Sequence, residues 1–273
     1  MEKSAPGNPL GQSLRATFPV RKSEVARSTA LYVSCPKPSG RLRDLIKALV
    51  FDFDGLIIDT ETPLHDSWSE MFDSYGVKLD REAFEGSIGG ADFDIYQLLE
   101  ELSGQRIERE VIRPRTRSRY LERVERNPVL PGVEDYLIAA KGMGLKLAVA
   151  SSSRPGWAVD HLERRGLLHY FEFVLSEGDV SNVKPDPELY ATAARRLGVR
   201  PQDTLAIEDS ANGLLAAKSA GLYCVVVPNP MTEDMDFDSA DIRLNSLSDM
   251  PLENLLKELR HRIDKREQSG TAG

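Results

Sequence analysis

Cysteine is nearly absent from this chain. Cys35 and Cys224 are the only two among 273 residues, too few and too far apart for a disulfide framework or a zinc site. Cys224, in "LYCVVVP", reads as packing inside a buried strand. Long apolar runs are missing too: nothing approaches the roughly 20 consecutive apolar residues that a membrane-spanning helix needs. Nor is there a surplus of positive charge. With 35 Lys and Arg against 43 Asp and Glu, the net charge is −8, which argues against a general affinity for nucleic acid or an anionic membrane. A soluble, cytoplasmic monomer that meets neither is expected.

Hydrophobic residues make up 41% of the chain, enough for one large globular unit or a core with a smaller appended domain. The charge is unevenly spread. Residues 1–47 carry nine Lys and Arg against three acids, net +6, which leaves −14 for the rest. An acidic body that binds an anionic ligand needs its positive charge concentrated locally, and a divalent cation is one way to supply it. Residues 1–46, with serines, five prolines and weak periodicity, are expected to be a disordered basic leader. A removable organellar transit segment is the alternative, but Glu2 and Glu24 dilute the pattern such segments show.

Beyond the leader, short β-branched runs alternate with helical stretches. "KALVF" (47–51), "LKLAVA" (145–150), "FEFVL" (171–175), "TLAIE" (204–208) and "YCVVV" (223–227) are separated by segments of helical spacing, each with a glycine at its end. This rhythm predicts βαβ units and a doubly wound, Rossmann-like α/β core with a parallel sheet covered on both faces. One gap breaks it: residues 64–127, between the first strand and the second, are amphipathic without a convincing strand. They are expected to form an inserted α-helical cap. The core is then 47–63 and 128–262, with 263–273 a flexible tail. Such an insertion lies above the carboxyl ends of the strands, where open α/β sheets place ligands.

The strand ends carry the chemistry. "FDFDG" places Asp52 and Asp54 two positions apart at the end of the first strand, on one side by strand alternation. Two carboxylates that close need a metal ion, a basic side chain or a shared proton. The second strand ends in "VASSSRPG", where the Ser151 hydroxyl and nearby backbone N–H groups can face an oxyanion. The third leads to "KPDPELY", in which Asp186 is placed to cap a helix that Pro187 begins. Lys184 is not needed for that cap and is the compensating cation the paired acids call for. The fourth ends in "IEDSANG", with Glu208 and Asp209 where the next helix starts. Together these groups describe one site. Asp52 and Asp209 offer oxygens to Mg²⁺, Asp52 attacks phosphorus, Asp54 acts as acid and base, and Lys184 and Ser151 stabilise the transferring phosphoryl group.

These four stretches, in this order, resemble the four motifs of the haloacid dehalogenase superfamily over about residues 47–260. The helical insertion is similar to the cap of its phosphoglycolate phosphatase and β-phosphoglucomutase branch. The resemblance implies an aspartyl-phosphate enzyme. Asp52 matches the nucleophile, Asp54 the general acid/base and backbone-carbonyl metal ligand, Ser151 and Lys184 the phosphate-binding pair, and Asp209 the metal carboxylate, with Glu208 supporting it through a water. The dehalogenase reaction is disfavoured, because members that cleave carbon–halogen bonds lack the second aspartate. A phosphosugar mutase is the nearer rival. Those mutases usually carry a cap arginine in the segment corresponding to "SIGGADFD", where this chain has Gly90, Ala91 and Asp92, so hydrolysis is preferred.

The expectation is therefore a Mg²⁺-dependent phosphomonoesterase acting on a small phosphorylated metabolite, such as a sugar phosphate. His65 and Arg154 are candidate substrate contacts, and the arginines of "RPRTRSRY" (113–120) are expected on a charged helix face. A phosphoacceptor signalling module also keeps an aspartate at a parallel-sheet edge, but without the long insertion or the paired acids. An inactive binding protein fits least, since every motif residue is present.

Overall fold

A computed structural model describes residues 46–85 and 94–270 of the chain. The leader up to residue 45 with Cys35, the stretch with Gly90, Ala91 and Asp92, and residues 271–273 lie outside the described residues.

The core opens with β1 (Ala48–Phe51), every residue of it buried. The chain then runs through four helices, α1 (Glu61–Ser74), α2 (Arg81–Glu85), α3 (Ile95–Ser103) and α4 (Arg109–Arg126), before returning to the core at α5 (Val133–Met143). Strands and helices then alternate: β2 (Lys146–Ala150), α6 (Trp157–Arg164), β3 (Phe173–Leu175), α7 (Glu188–Leu197), β4 (Thr204–Glu208), α8 (Ala211–Ser219) and β5 (Tyr223–Val226). A two-residue edge strand, β6 (Ile242–Arg243), and α9 (Leu252–Gly270) complete the described part. The sheet is parallel, in the order β3-β2-β1-β4-β5-β6. The Rossmann-like α/β architecture is therefore present, with β6 added at one edge.

Alternation along β1 explains the two-sided core. Leu49 and Phe51 point into an apolar cluster shared with α5, α6 and α9, whereas Ala48 and Val50 point into one shared with α7 and α8. Burial on both faces is why these strands read as continuous apolar runs. A third cluster holds Trp68, Phe72, Phe84, Leu99 and Ile112 from α1–α4, joined by Met231 from the loop after β5.

Three boundaries differ from the expectation. The first helix opens at Glu61 rather than at Leu64, because Pro63 falls in its first turn, where a missing N–H costs nothing. Residues 263–270, expected in a flexible tail, continue α9: Ile263 is buried, and Arg266 Nη1 donates to the buried Asp241 at 2.7 Å. Asp186 does not occupy the cap position of α7, which falls on Pro187; its Oδ1 instead accepts from the Glu188 N–H at 2.9 Å.

The position of the site follows from the topology. β1 lies between β2 and β4: the chain builds one side of the sheet through β2 and β3, then crosses back past β1 to β4, and the carboxyl ends of these strands open at that switch point. Phe51 pairs in register with both Val149 and Ile207. The residues just beyond each strand therefore arrive at nearly one level.

Candidate active site

Asp52 follows β1, and its backbone N–H still donates to Ile207 O at 2.9 Å, so its carboxylate is rooted in the sheet. The buried Lys184 reaches it from the turn before α7. Its Nζ donates to Asp52 Oδ1 and, at 2.6 Å, to Glu208 Oε1. Burial opposes the charge of this ammonium, but the two carboxylates outweigh it and hold the pKa above the ordinary lysine value. Tyr190 of α7 donates its hydroxyl to the same Glu208 oxygen at 2.5 Å, and its ring lies 4.9 Å from the Lys184 nitrogen. The cation demanded by the paired acids is thus in place at Asp52.

Asp54 is satisfied in another way. Its Oδ2 accepts from the hydroxyls of Ser151 at 3.1 Å and Ser153 at 2.5 Å, and its Oδ1 accepts from the Trp157 indole N–H at 2.8 Å. The two acids therefore do not share one partner set: a cation meets the first, and three neutral donors meet the second. Ser151, expected to face an oxyanion, spends its hydroxyl on Asp54 and accepts from the Ser153 N–H at 3.0 Å.

Glu208 and Asp209 do not cap the following helix. Ser210 does, accepting from the Gly213 N–H at 3.1 Å, which leaves both carboxylates to the interior. Glu208 Oε2 accepts from the Asp209 N–H, the Ser210 N–H and the Ser210 hydroxyl at 3.1, 3.3 and 3.2 Å. A carboxylate offers about four acceptor sites, so Glu208 is saturated. The fit around it is close: a Cβ at Gly213 would lie 2.0 Å from its carboxylate. Asn229 donates its amide to Asp209 Oδ2 at 2.7 Å and to Gly55 O at 3.3 Å. Gly55 has φ +74°, and a Cβ there would meet Asp209 Oδ2 at 2.3 Å. Only glycine suits either place.

Oxygens of Asp52, Glu208 and Asp209 lie within 4.8 Å of one another. Burial raises the pKa of Asp52 against the pull of Lys184, with Glu208 and Asp54 adding to the rise. Asp209 is raised by burial and by Asp52, Glu208 and Glu61. One lysine therefore leaves negative charge over. An all-oxygen, negatively charged donor set fits a hard divalent cation, and Asp52 and Asp209 fit it better than the saturated Glu208.

A cavity of 250 Å³ opens onto these groups, lined among others by Asp52, Asp54, Glu61, Tyr120, Lys184 and Asp209. It lies below the roughly 300–1,000 Å³ of drug-sized ligand pockets, so it suits a small ligand. A larger open groove of 860 Å³ runs past Lys184 and Leu215, but the one buried ion on its wall already serves Asp52 and Glu208, so the chemistry belongs to the smaller cavity. Glu61 was not anticipated. Burial and its neighbours Asp54, Asp52 and Asp59 push its carboxyl up to about 8.

The two candidate substrate contacts fall elsewhere. His65 packs edge-on against Phe84, ring centroids 5.1 Å apart, with Nδ1 3.4 Å from Asp66, because its helix turns Leu64 rather than His65 toward the cavity. Arg154 lies over the Trp157 ring, 5.9 Å from its centroid, and lines an adjoining cavity of 220 Å³. Arg113, Arg115, Arg117 and Arg119 are exposed on α4. Ser153, Trp157, Tyr190, Gly213 and Asn229 were missed as site residues. For Ser153, Trp157, Gly213 and Asn229 the only signal is position, one or two turns beyond a strand end; Tyr190, in the first turn of α7 and far past β3, carries none.

Residues 49–227 match the family described as haloacid dehalogenase-like hydrolase. The chain is similar to the protein YhcW of Bacillus subtilis (strain 168), 45% identical over 216 residues that cover 79% of this chain and 98% of that one. It is also similar to hexitol phosphatase B of Escherichia coli (strain K12), 33% identical over 218 residues, 77% of this chain and 97% of that one. Among solved structures, CbbY from Rhodobacter sphaeroides in complex with phosphate is similar with a TM-score of 0.59 and 30% identity, over 75% of this chain and 96% of that one.

Proposed function

This chain belongs to the haloacid dehalogenase-like hydrolase family, and from that premise we propose that it is a Mg²⁺-dependent phosphomonoesterase acting on a small phosphorylated metabolite, of the sugar-phosphate class. The observation that carries the reading is the Lys184 ammonium bridging Asp52 and Glu208 beside Asp209. In this arrangement Asp52 is a carboxylate held in place and available to attack phosphorus, forming an aspartyl-phosphate as the substrate's ester oxygen departs. Asp54 gives that oxygen its proton, then takes one from the water that attacks the aspartyl-phosphate, which releases inorganic phosphate and restores Asp52.

Lys184 has three N–H donors. Two serve Asp52 and Glu208, and the third is assigned to a phosphoryl oxygen. Ser151 serves the phosphoryl group by exchanging its bond to Asp54 for one to the substrate, which leaves Asp54 held by Ser153 and Trp157. Asp52 and Asp209, with the backbone carbonyl of Asp54, would hold the cation, and Glu208 would support them. When bound, the cation supplies positive charge against the phosphoryl oxygens. Glu61 and Tyr120, on the cavity wall, are placed to hydrogen-bond the hydroxyl groups of a sugar. Helices α1–α4 form the cap that excludes bulk water during the reaction.

The similarity to hexitol phosphatase B supports a phosphorylated carbohydrate as substrate. The test is release of inorganic phosphate from a panel of sugar and non-sugar phosphate esters, by the full chain, with Mg²⁺ and with a chelator. Metal-dependent release from small sugar phosphates is expected. Isomerisation of a hexose phosphate without phosphate release would favour the mutase, and no reaction in either assay would overturn the enzyme.

A further inference from the structure

Three residues spaced four apart, Trp157, His161 and Arg165, follow one another along one side of α6 and the turn that ends it. At the first, the indole N–H holds Asp54 Oδ1, and the Tyr120 ring of α4 stacks on the same indole with centroids 5.8 Å apart and planes 20° from parallel. At the second, the buried His161 packs edge-on against Trp157, centroids 4.2 Å apart. An arginine can only donate, so the 3.0 Å contact between Arg165 Nη1 and His161 Nδ1 makes that nitrogen the acceptor.

Arg165 also reaches the hinge, meaning the two linkers that join α1–α4 to the core, an outgoing one before α1 and a return one between α4 and α5. Its Nη2 donates to the carbonyls of Val124 at 3.0 Å and Asn127 at 2.9 Å, where α4 ends and the return linker begins. Asn127 in turn donates its side-chain amide to Asp59 O at 2.7 Å, on the outgoing linker. Both linkers and the last turn of α4 are therefore fastened to one arginine, and that arginine is in line with the donor that orients Asp54.

We propose that Trp157, His161 and Arg165 form a positioning strut, which sets the orientation of the Asp54 carboxylate according to the posture of the hinge and of α4. None of the three lines the cavity at Asp52, so they act through Asp54 and not on the substrate. A rearrangement at the linkers shifts the carbonyls that Arg165 holds, and with them the packing of His161 on the indole. Tyr120 gives α4 a second, direct hold on the same ring.

The kinetic arm of the test rests on the phosphatase reading. Full-length W157F keeps an aromatic ring and loses the indole donor, and R165Q loses the grip on the hinge. With Mg²⁺ and the ester the parent hydrolyses best, W157F should lower kcat about 10-fold and R165Q about 3-fold, with KM within about twofold in both. The double variant should lose less than the product of the two, as residues in one network do. A second arm needs no turnover. In a W68F background Trp157 is the one remaining tryptophan, and D54N and R165Q should each shift its emission maximum.

Full kcat in W157F, or an R165Q protein with neither kcat nor emission changed, would overturn the strut. A parent that releases no phosphate would sink the phosphatase reading while the emission arm still decides the strut. Should R165Q fail to fold, R165K keeps the charge but cannot span His161 and two carbonyls, and carries the same expectation.

Discussion

Two sets of charges of the same chemical kind sit in very different surroundings. On the outside of α1 and α4, Glu70 of α1 takes Arg119 at 2.9 Å and also Arg123 of α4, with side chains roughly a third to a half exposed. Inside the core, Lys184 takes Asp52 and Glu208, with side chains no more than 10% exposed. Water competes for every partner of Glu70, so that pair steadies two helices and little more. The core set is almost wholly buried, and losing one member there leaves the others buried and uncompensated. The surroundings are correspondingly committed: a Cβ at Gly213 would run into Glu208, and neighbouring Asp209 is held by Asn229 against Gly55, where a Cβ would run into it. Burial, not the number of ion pairs, separates a replaceable contact from one that the fold is built around.

The largest expected effect falls on the core cation. K184M should cost about 3–5 kcal/mol of stability in urea denaturation with a chelator present; a loss under about 1 kcal/mol would erase the contrast with Glu70. G213A comes next. Its new methyl would overlap Glu208, and an overpacked site of this kind costs about 1–3 kcal/mol by the same measurement.

A smaller effect sharpens the comparison through pH. The Glu61 carboxyl is raised to about 8 in the folded protein, chiefly by burial. The folded state then holds a proton that the unfolded chain has released, so this contribution is complete below the unfolded carboxylate range and is lost as pH rises through about 8. The thermal midpoint of metal-free protein should therefore fall between about pH 5 and about pH 9. E61Q, which cannot ionise, should flatten that fall. A steeper fall in E61Q would contradict a raised Glu61 carboxyl. The smallest effect is assigned to E70Q, which should cost less than about 1 kcal/mol and leave phosphate release unchanged.

Much of the site was legible because it stands at strand ends. Asp52, Ser151 and Asp209 are each the first or second polar residue after an apolar run, and the parallel register brings such positions to one level whatever the helices do. Lys184 was legible by elimination, as the residue that its helix start did not need. What stayed hidden depends on side-chain reach. The hold of Trp157 on Asp54, of Tyr190 on Glu208 and of Asn229 on Asp209 joins segments 103, 18 and 20 residues apart, and no spacing rule encodes those directions. The same limit explains His65: helical periodicity places it on α1 without saying that Leu64 takes the cavity side. At the far edge, β6 is too short at two residues to produce an alternation.

The proposed reaction requires that an Asp52 carboxylate oxygen takes the phosphoryl group while Lys184 holds that carboxylate. Steady-state phosphate release by D52N, with saturating Mg²⁺ and the ester the parent prefers, measures this directly. Losing the nucleophile should lower kcat by at least about 10³-fold while the variant stays folded. A folded D52N protein that turns over within about tenfold of the parent would contradict it.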